Sequence, residues 1–110
     1  MVDTIIFMTV ASENEAEKIT ELLLGKHLIA CANILGPVES KFWWQGKIDE
    51  AKEYIVIMKS DEKLFKKLSE TVKKVHGYEV PEILAVSVVK GWQPYLEWLH
   101  ASLKPALPEE

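Results

Sequence analysis

The sequence contains no arginine, and all thirteen of its basic side chains are lysines. Bidentate recognition of phosphate groups and of guanine is characteristic of arginine. The formal net charge is −4, whereas domains that bind nucleic acids usually present a basic surface. We therefore expect no nucleic-acid partner.

Cysteine is almost absent, and long apolar runs are missing. Cys31 is the only cysteine, so the chain cannot form an internal disulfide, which favours a reducing compartment. No apolar run approaches the ~20 residues that a transmembrane helix requires. Residues 1–4 lack the charged start and the following apolar segment of a signal peptide. These features predict a cytoplasmic protein with no membrane partner.

Catalytic signatures are missing as well. The sequence has no glycine-rich loop of the kind that cradles phosphate, no His-Glu-x-x-His motif and no nucleophile elbow. We therefore predict that the protein is not an enzyme.

The sequence does carry enough apolar residues for one folded core. It has 110 residues, of which 48% are hydrophobic, and four are tryptophans. This length fits a single domain spanning residues 1–110, with a core at about residues 4–103 and a frayed C-terminal tail. Domains of this size often gain stability by forming oligomers.

The order of the predicted elements indicates the fold class. Residues 5–10 and 83–89 read as buried strands. Ser12 and Glu15 form a capping box that opens the first helix. The second helix starts at Ser60 or Asp61, and the third begins near Pro94. The apolar positions of the first two helices are Ala16, Ile19, Leu22 and Leu23, and Leu64, Leu68, Val72 and Val75. The order β-α-β-β-α-β-α predicts a ferredoxin-like split βαβ sandwich of the α+β class.

A long hairpin is the most distinctive predicted element. Residues 29–44 and 47–59 are extended, and Gln45-Gly46 provides a tight reversal. An arm of about 14 residues reaches ~45 Å, whereas the radius of gyration of a domain of about 100 residues is ~13 Å. We expect the arms to overhang the body and to pair with other subunits. The alternative is a bent hairpin that wraps its own sheet at Gly36-Pro37.

Few residues have side chains suited to metal binding. Histidine is the commonest side-chain metal ligand, and His76 precedes a turn, where it is either a ligand or a cap of the helix end. Cys31 is a soft donor for Cu(I), but a small buried apolar role suits it better. Glu53, Glu79 and Glu82 form a carboxylate cluster only if the long strand passes the turn; otherwise they are ordinary surface glutamates.

Five blocks of sequence resemble the CutA family of divalent-cation tolerance proteins, over residues 5–103. The blocks are Ala30-Cys31-Ala32-Asn33, Trp44-x-Gly46-Lys47-Ile48, Lys52-Glu53, His76-Gly77-Tyr78-Glu79-Val80-Pro81-Glu82-Ile83 and Tyr95-Leu96-x-Trp98-Leu99. The resemblance implies a ferredoxin-like homotrimer held by the hairpins, a cytoplasmic location, and a role in the response to metal ions with binding of copper or another divalent metal ion. The alternative is a regulatory module, like the PII signalling proteins, that binds a small ligand or a partner protein in clefts between subunits.

The resemblance also assigns candidate metal ligands. His76 matches the family's histidine, Cys31 matches its strand cysteine, and Met8 lies where some members have a cysteine. A thioether is a neutral soft ligand for Cu(I). The chain departs from the family pattern at Met8 and at Gly77, which replaces a proline. We expect this glycine to loosen the turn after His76.

Overall fold

A four-stranded antiparallel sheet with strand order β2-β3-β1-β4 forms the framework of the chain. The computed structural model describes residues 2–108. Its elements are β1 (Asp3–Val10), α1 (Glu13–Gly25), β2 (Cys31–Trp44), β3 (Lys47–Asp61), α2 (Phe65–Val75), β4 (Ile83–Ser87) and α3 (Gln93–Leu103). Short 3-10 turns, Glu62–Leu64 and Lys104–Ala106, precede α2 and follow α3. The predicted order and the ferredoxin-like α+β class are confirmed.

The two faces of the sheet differ in how they are covered. Along β1, Ile6, Met8 and Val10 are fully buried, whereas the intervening residues are partly exposed. Because successive strand residues point to opposite faces, one face packs against the helices and the other, which we call the open face, is only partly covered. Residues from α1 and α2 complete the core on the helix side, among them Ala16, Ile19, Leu23, Leu68 and Val72, and Leu99 and Leu103 of α3 belong to the same buried cluster.

The predicted capping box opens α1. The Ser12 hydroxyl accepts a hydrogen bond from the Glu15 N–H at 3.1 Å. In return, Glu15 Oε1 accepts from the N–H of Ala11 at 3.1 Å, one residue before the cap. Ser12 thus pairs the Glu15 N–H, one of the backbone donors that lack a partner within the helix, and Glu15 binds the residue that precedes the cap.

The start and the end of α2 differ from the prediction. Ser60 and Asp61 still belong to β3, and the Asp61 side chain caps the 3-10 turn by accepting from the Lys63 N–H at 2.8 Å. The α-helix therefore begins only at Phe65. Val75, in the last turn, is 47% exposed, so the buried stripe ends one turn earlier than predicted.

The hairpin overhangs the body, as predicted. Residues 54–61 of β3 pair with β1, whereas residues 47–53 pair only with residues 38–44 of β2. This outer part, which we call the distal hairpin, adds ~23 Å at the usual rise of a strand. The molecule measures 46 × 27 × 24 Å, and the predicted tight turn at Gln45-Gly46 closes the hairpin with both residues at positive φ. Gly36-Pro37 lies at a shift of register on the edge strand β2.

Strand β4 is shorter and more exposed than predicted. It spans Ile83–Ser87 rather than residues 83–89, and Leu84 and Val86 are 58% and 51% exposed. The expectation of burial on both faces was wrong for a single copy of the chain, because β4 is an edge strand and its open face has no covering layer.

The core continues beyond α3. Pro94 lies in the first turn of this helix, as predicted. After α3, Ala106 and Leu107 pack against the core, which therefore extends past the predicted limit at residue 103. Residues 109 and 110 of the predicted frayed tail lie outside the described residues.

Candidate functional site

A cleft of about 670 Å³ lies between the distal hairpin and the connection from α2 to β4. Thr9 at the end of β1 forms part of its floor, and Phe42 and Trp44 contribute aromatic walls. Glu53 and Thr9 are both on the open face, as the alternation along β3 and β1 shows. The cleft therefore sits where the open face meets the base of the overhanging arms.

His76 anchors the connection beside the cleft. Its Nε2–H donates to the carbonyl oxygen of Thr9 at 2.8 Å, and its Nδ1 accepts from the N–H of Tyr78 at 3.0 Å. A carbonyl can only accept and a backbone N–H can only donate, so these two bonds define the neutral ring with its proton on Nε2. His76 is 8% exposed, and both ring nitrogens are occupied within the chain.

Glu15 fastens the next residue of the connection. Glu15 Oε2 accepts from the Gly77 N–H at 2.6 Å. A proline at this position has no N–H to donate, so glycine supplies a bond that the proline of the family pattern does not. This hydrogen bond ties the turn after His76 to the start of α1.

Tyr78 links the connection to the hairpin. Its hydroxyl donates to Glu53 Oε2 at 2.7 Å, and Glu53 is 6% exposed. Burial raises the pKa of the Tyr78 hydroxyl above its usual value, and the hydrogen bond to Glu53 raises the pKa further. The hydroxyl therefore stays protonated and serves as a fixed donor to the buried carboxylate.

We expect Tyr78→Phe to lower the free energy of unfolding by about 1–3 kcal/mol, because the buried Glu53 carboxylate loses its donor. Chemical denaturation at a fixed protomer concentration measures this loss. Tyr54→Phe on the same strand as Glu53 is the matched control, and Tyr78→Phe/Glu53→Gln, which removes the charge as well, should recover part of the loss. Equal losses for Tyr78→Phe and Tyr54→Phe would contradict the role given to this bond.

The cleft carries strong negative charge. Among the described residues that line it, five are acidic and one, Lys41, is basic. The acidic residues are Asp49, Glu50, Glu53, Glu79 and Glu82. The strand does pass the turn, and Glu53, Glu79 and Glu82 all line the cleft, but within the described residues they do not form a group arranged to hold a metal ion. Sequence reasoning missed Tyr78 as their partner, although it lies only two residues after His76.

The three predicted metal ligands lie apart in the structure. Cys31 faces Lys59, which in turn faces Ile5, whereas Met8 faces Val56. Ile5 and Met8 are three positions apart on one strand, so Cys31 lies on the open face and Met8 on the helix face. The residues that the structure describes contain no group of three or more His, Cys, Asp or Glu side chains arranged to hold a metal ion.

The surroundings of Cys31 and Met8 also differ. Met8 is fully buried in the apolar core. Cys31 is partly exposed, and its sulfur lies 3.7 Å from the Tyr95 hydroxyl. Burial raises the pKa of Tyr95, and the contact with Cys31 raises it further. Cys31 is thus the only one of the three predicted ligands that is not buried.

Comparison with known proteins places this geometry in context. The family model for the CutA1 divalent ion tolerance protein matches residues 4–102. A divalent-cation tolerance protein CutA from Archaeoglobus fulgidus is 38% identical over 90% of this chain and 96% of its own length. A protein of the same description from Pyrococcus horikoshii is 41% identical over 86% of this chain and 92% of its own.

Solved structures give the same result for the fold. The A. fulgidus protein, described as periplasmic, superposes with a TM-score of 0.89 at 38% identity over 92% of this chain and 98% of that one. CutA1 from Oryza sativa superposes with a TM-score of 0.89 at 34% identity, over 93% of this chain and 94% of the other.

Relatives differ in length and in compartment. The chain spans 56% of the length of a chloroplastic rice relative and 53% of that of a mouse relative. In the part of this chain that the structure describes, no helix combines the length and apolar character needed to cross a bilayer. The match of the family model over nearly the whole chain, together with relatives at 38–41% identity, shows that the chain belongs to the CutA1 divalent ion tolerance protein family.

Proposed function

We propose that this chain works in the cytoplasm as a homotrimer that binds divalent cations, copper among them, in the response to metal ions. The observation that carries the proposal is the cleft, whose lining includes Asp49, Glu53, Glu79 and Glu82. A cleft lined by charge of one sign concentrates ions of the opposite sign, and carboxylate oxygens are common ligands of divalent cations. Membership of the divalent ion tolerance protein family also supports a role that involves divalent cations.

Assembly is supported by the apolar surface that a single copy leaves uncovered. The open face exposes Leu35, Leu84 and Val86, and the distal hairpin exposes Trp43 and Ile48 by 73% and 69%. Strands β2 and β4 are the edges of the sheet, and unpaired edges are templates for pairing with another chain. Contiguous apolar surface that a single chain leaves exposed is typical of an interaction site. The number of three subunits rests on the family resemblance.

The three predicted metal ligands differ in how accessible they are to a metal ion. Cys31 is a soft donor suited to Cu(I), and it is partly exposed. A ring nitrogen of His76 becomes available to a metal only if its bond to Thr9 or Tyr78 opens. Met8 becomes available only if the core opens. We therefore propose two classes of site, the carboxylate cleft for divalent cations and Cys31 for Cu(I).

Calorimetric titration of the purified protein with Cu(I), Cu(II) and Zn(II) tests both classes. We expect Glu79→Gln/Glu82→Gln to weaken binding of Cu(II) and Zn(II) by about tenfold or more, because a loss of ~1.4 kcal/mol corresponds to a tenfold change in Kd. Cys31→Ser should weaken binding of Cu(I) alone. Glu97→Gln on α3, outside the cleft, is the charge-matched control.

The variants also distinguish the ways in which the proposal could fail. Absence of saturable binding of any of the three ions to the unmodified protein would refute cation binding altogether. Equal effects of Glu79→Gln/Glu82→Gln and Glu97→Gln would show that the cations bind elsewhere. His76→Gln keeps one hydrogen-bond donor and one acceptor. If His76 binds the metal directly, the affinity of this variant should fall as far as that of Glu79→Gln/Glu82→Gln.

A further inference from the structure

Two carboxylates face each other at the end of the ladder between β1 and β3. Asp3 is the first residue of β1 and Asp61 is the last residue of β3, and the register places them directly opposite. The Glu62 N–H donates to the Val2 carbonyl at 3.0 Å, so the facing pair occupies a non-hydrogen-bonded position. At such positions the Cα atoms are only ~4.5 Å apart and side chains are closest. Like charges directly opposite each other destabilise a sheet.

Both carboxylates have an oxygen that is buried without a partner. Asp61 is fully buried. Its Oδ1 accepts from the Lys63 N–H, but its Oδ2 has no hydrogen-bond partner within residues 2–108. Asp3 Oδ1 is likewise buried and unpaired there. Buried polar atoms are nearly always hydrogen-bonded, so each orphan requires an explanation.

The neighbouring groups do not supply the missing partner. Thr4 follows Asp3 on β1 and therefore points to the opposite face of the sheet. Among the described residues, His100 of α3 is the cationic group that acts on Asp3, and it lowers the pKa of Asp3. Burial and the charge of Asp61 raise the pKa of Asp3 by more, so the net direction is upward. A metal ion is not the favoured partner, because no third metal-ligating side chain in the described chain joins the pair.

We propose that Asp3 and Asp61 share a single proton in the folded chain, held as an O–H···O bond between Asp3 Oδ1 and Asp61 Oδ2. The proton is taken from solvent when the chain folds and returns to solvent when it unfolds. One proton satisfies both orphan oxygens, one as donor and one as acceptor, and removes one of two like charges. The bond clamps the first residue of the first strand to the residue that caps the 3-10 turn before α2.

The proton makes folding depend on pH in a defined direction. The folded pair binds a proton that the unfolded aspartates, with ordinary pKa values near ~3.9, have released. Because the folded state then holds more protons than the unfolded state, stability falls as pH rises. The contribution is complete below about pH 4 and is lost as the pH rises through the raised pKa of Asp3.

Asp3→Asn tests the proposal, because its side-chain amide donates permanently to Asp61 Oδ2 whatever the pH. Denaturation curves are recorded from about pH 4 upward, because this is close to the ordinary pKa of an aspartate side chain. As the pH increases, we expect the unfolding equilibrium constant of the unmodified protein to rise. This rise should exceed the rise in Asp3→Asn by up to about tenfold per pH unit. Glu21→Gln, at an exposed position of α1 away from the pair and from the cleft, should keep the pH dependence of the unmodified protein. Identical pH profiles for the unmodified protein and Asp3→Asn would overturn the proposal.

Infrared spectroscopy gives a second readout that does not depend on stability. Above the ordinary range of aspartate, the unmodified protein should show the C=O band of one protonated carboxylic acid per chain, and Asp3→Asn and Asp61→Asn should each abolish it. Absence of the band from the unmodified protein would overturn the proposal even if the variants do not fold. Calcium or magnesium ions that stabilise the unmodified protein but not Asp3→Asn would also overturn it, by showing that the pair holds a cation instead.

Discussion

Removal of the distal hairpin should convert the proposed trimer into a folded monomer. The change replaces residues 39–52 by Asn-Gly, which joins Val38 to Glu53. Val38 and Glu53 face each other in the ladder, as do Trp44 and Lys47, which flank the natural turn. The two pairs are an even number of positions apart on each strand, so both pairs have the same hydrogen-bonding pattern. A two-residue turn therefore fits between Val38 and Glu53 without a shift of register. No residue that pairs with β1 is lost, because that pairing begins at Tyr54.

Light scattering at micromolar protomer concentration measures the outcome, and circular dichroism verifies that the shortened chain folds. Trp43→Gln/Ile48→Gln is the milder companion, because it removes a facing pair of exposed apolar side chains and keeps the length of the arms. We expect this variant to dissociate at higher concentrations than the unmodified protein. A shortened chain with three times the monomer mass would assign assembly to the open face alone, and a monomeric full-length protein would refute the trimer.

Substitution of Met8 should have the other large effect. Met8 is fully buried among apolar residues, so Met8→Ala should lower the free energy of unfolding by about 2–5 kcal/mol through lost burial and a residual cavity. Met8→Leu keeps the volume and should cost less than about 1.5 kcal/mol. Chemical denaturation of both variants at one protomer concentration measures the difference.

Met58 supplies a matched control for the chemistry of the sulfur. It is a second fully buried methionine in the same core, and it faces Ile6 on β1. Met8→Leu and Met58→Leu should leave the affinity for Cu(I) equally unchanged. A loss of affinity in Met8→Leu alone would show that the core opens and that the thioether of Met8 binds the metal.

Much of the fold follows from local patterns in the sequence. The spacing of Ser12 and Glu15 locates the start of α1, and Gln45-Gly46 locates the turn of the hairpin, because both depend on residues close together in the chain. Strand β4 was misjudged for a physical reason. A run of apolar residues shows that the strand avoids water, but it does not show whether the covering layer comes from the same chain or from another.

The candidate site was predictable to a smaller extent. The grouping of Glu53 with Glu79 and Glu82 depends on how far β3 extends, and the sequence could state it only as a condition. The bonds of Glu15 to Gly77 and of Tyr78 to Glu53 join residues 62 and 25 positions apart, and no local pattern reports such contacts. The family resemblance selected residues whose side chains can bind metal ions, but it did not show whether they lie close together. Cys31 and Met8 in fact lie on opposite faces of the sheet.

The charges of the distal hairpin specify how its two arms align. Glu39 faces Lys52 and Lys41 faces Glu50, on the same side as the pair Trp43 and Ile48. A slip of two residues leaves every side chain on its original face, so burial alone does not oppose it. Such a slip in one direction places Glu39 opposite Glu50, and in the other direction it places Lys41 opposite Lys52. Like charges in facing positions are unfavourable. Four charged side chains thus fix the length of the arm and the position of its apolar tip in the proposed assembly.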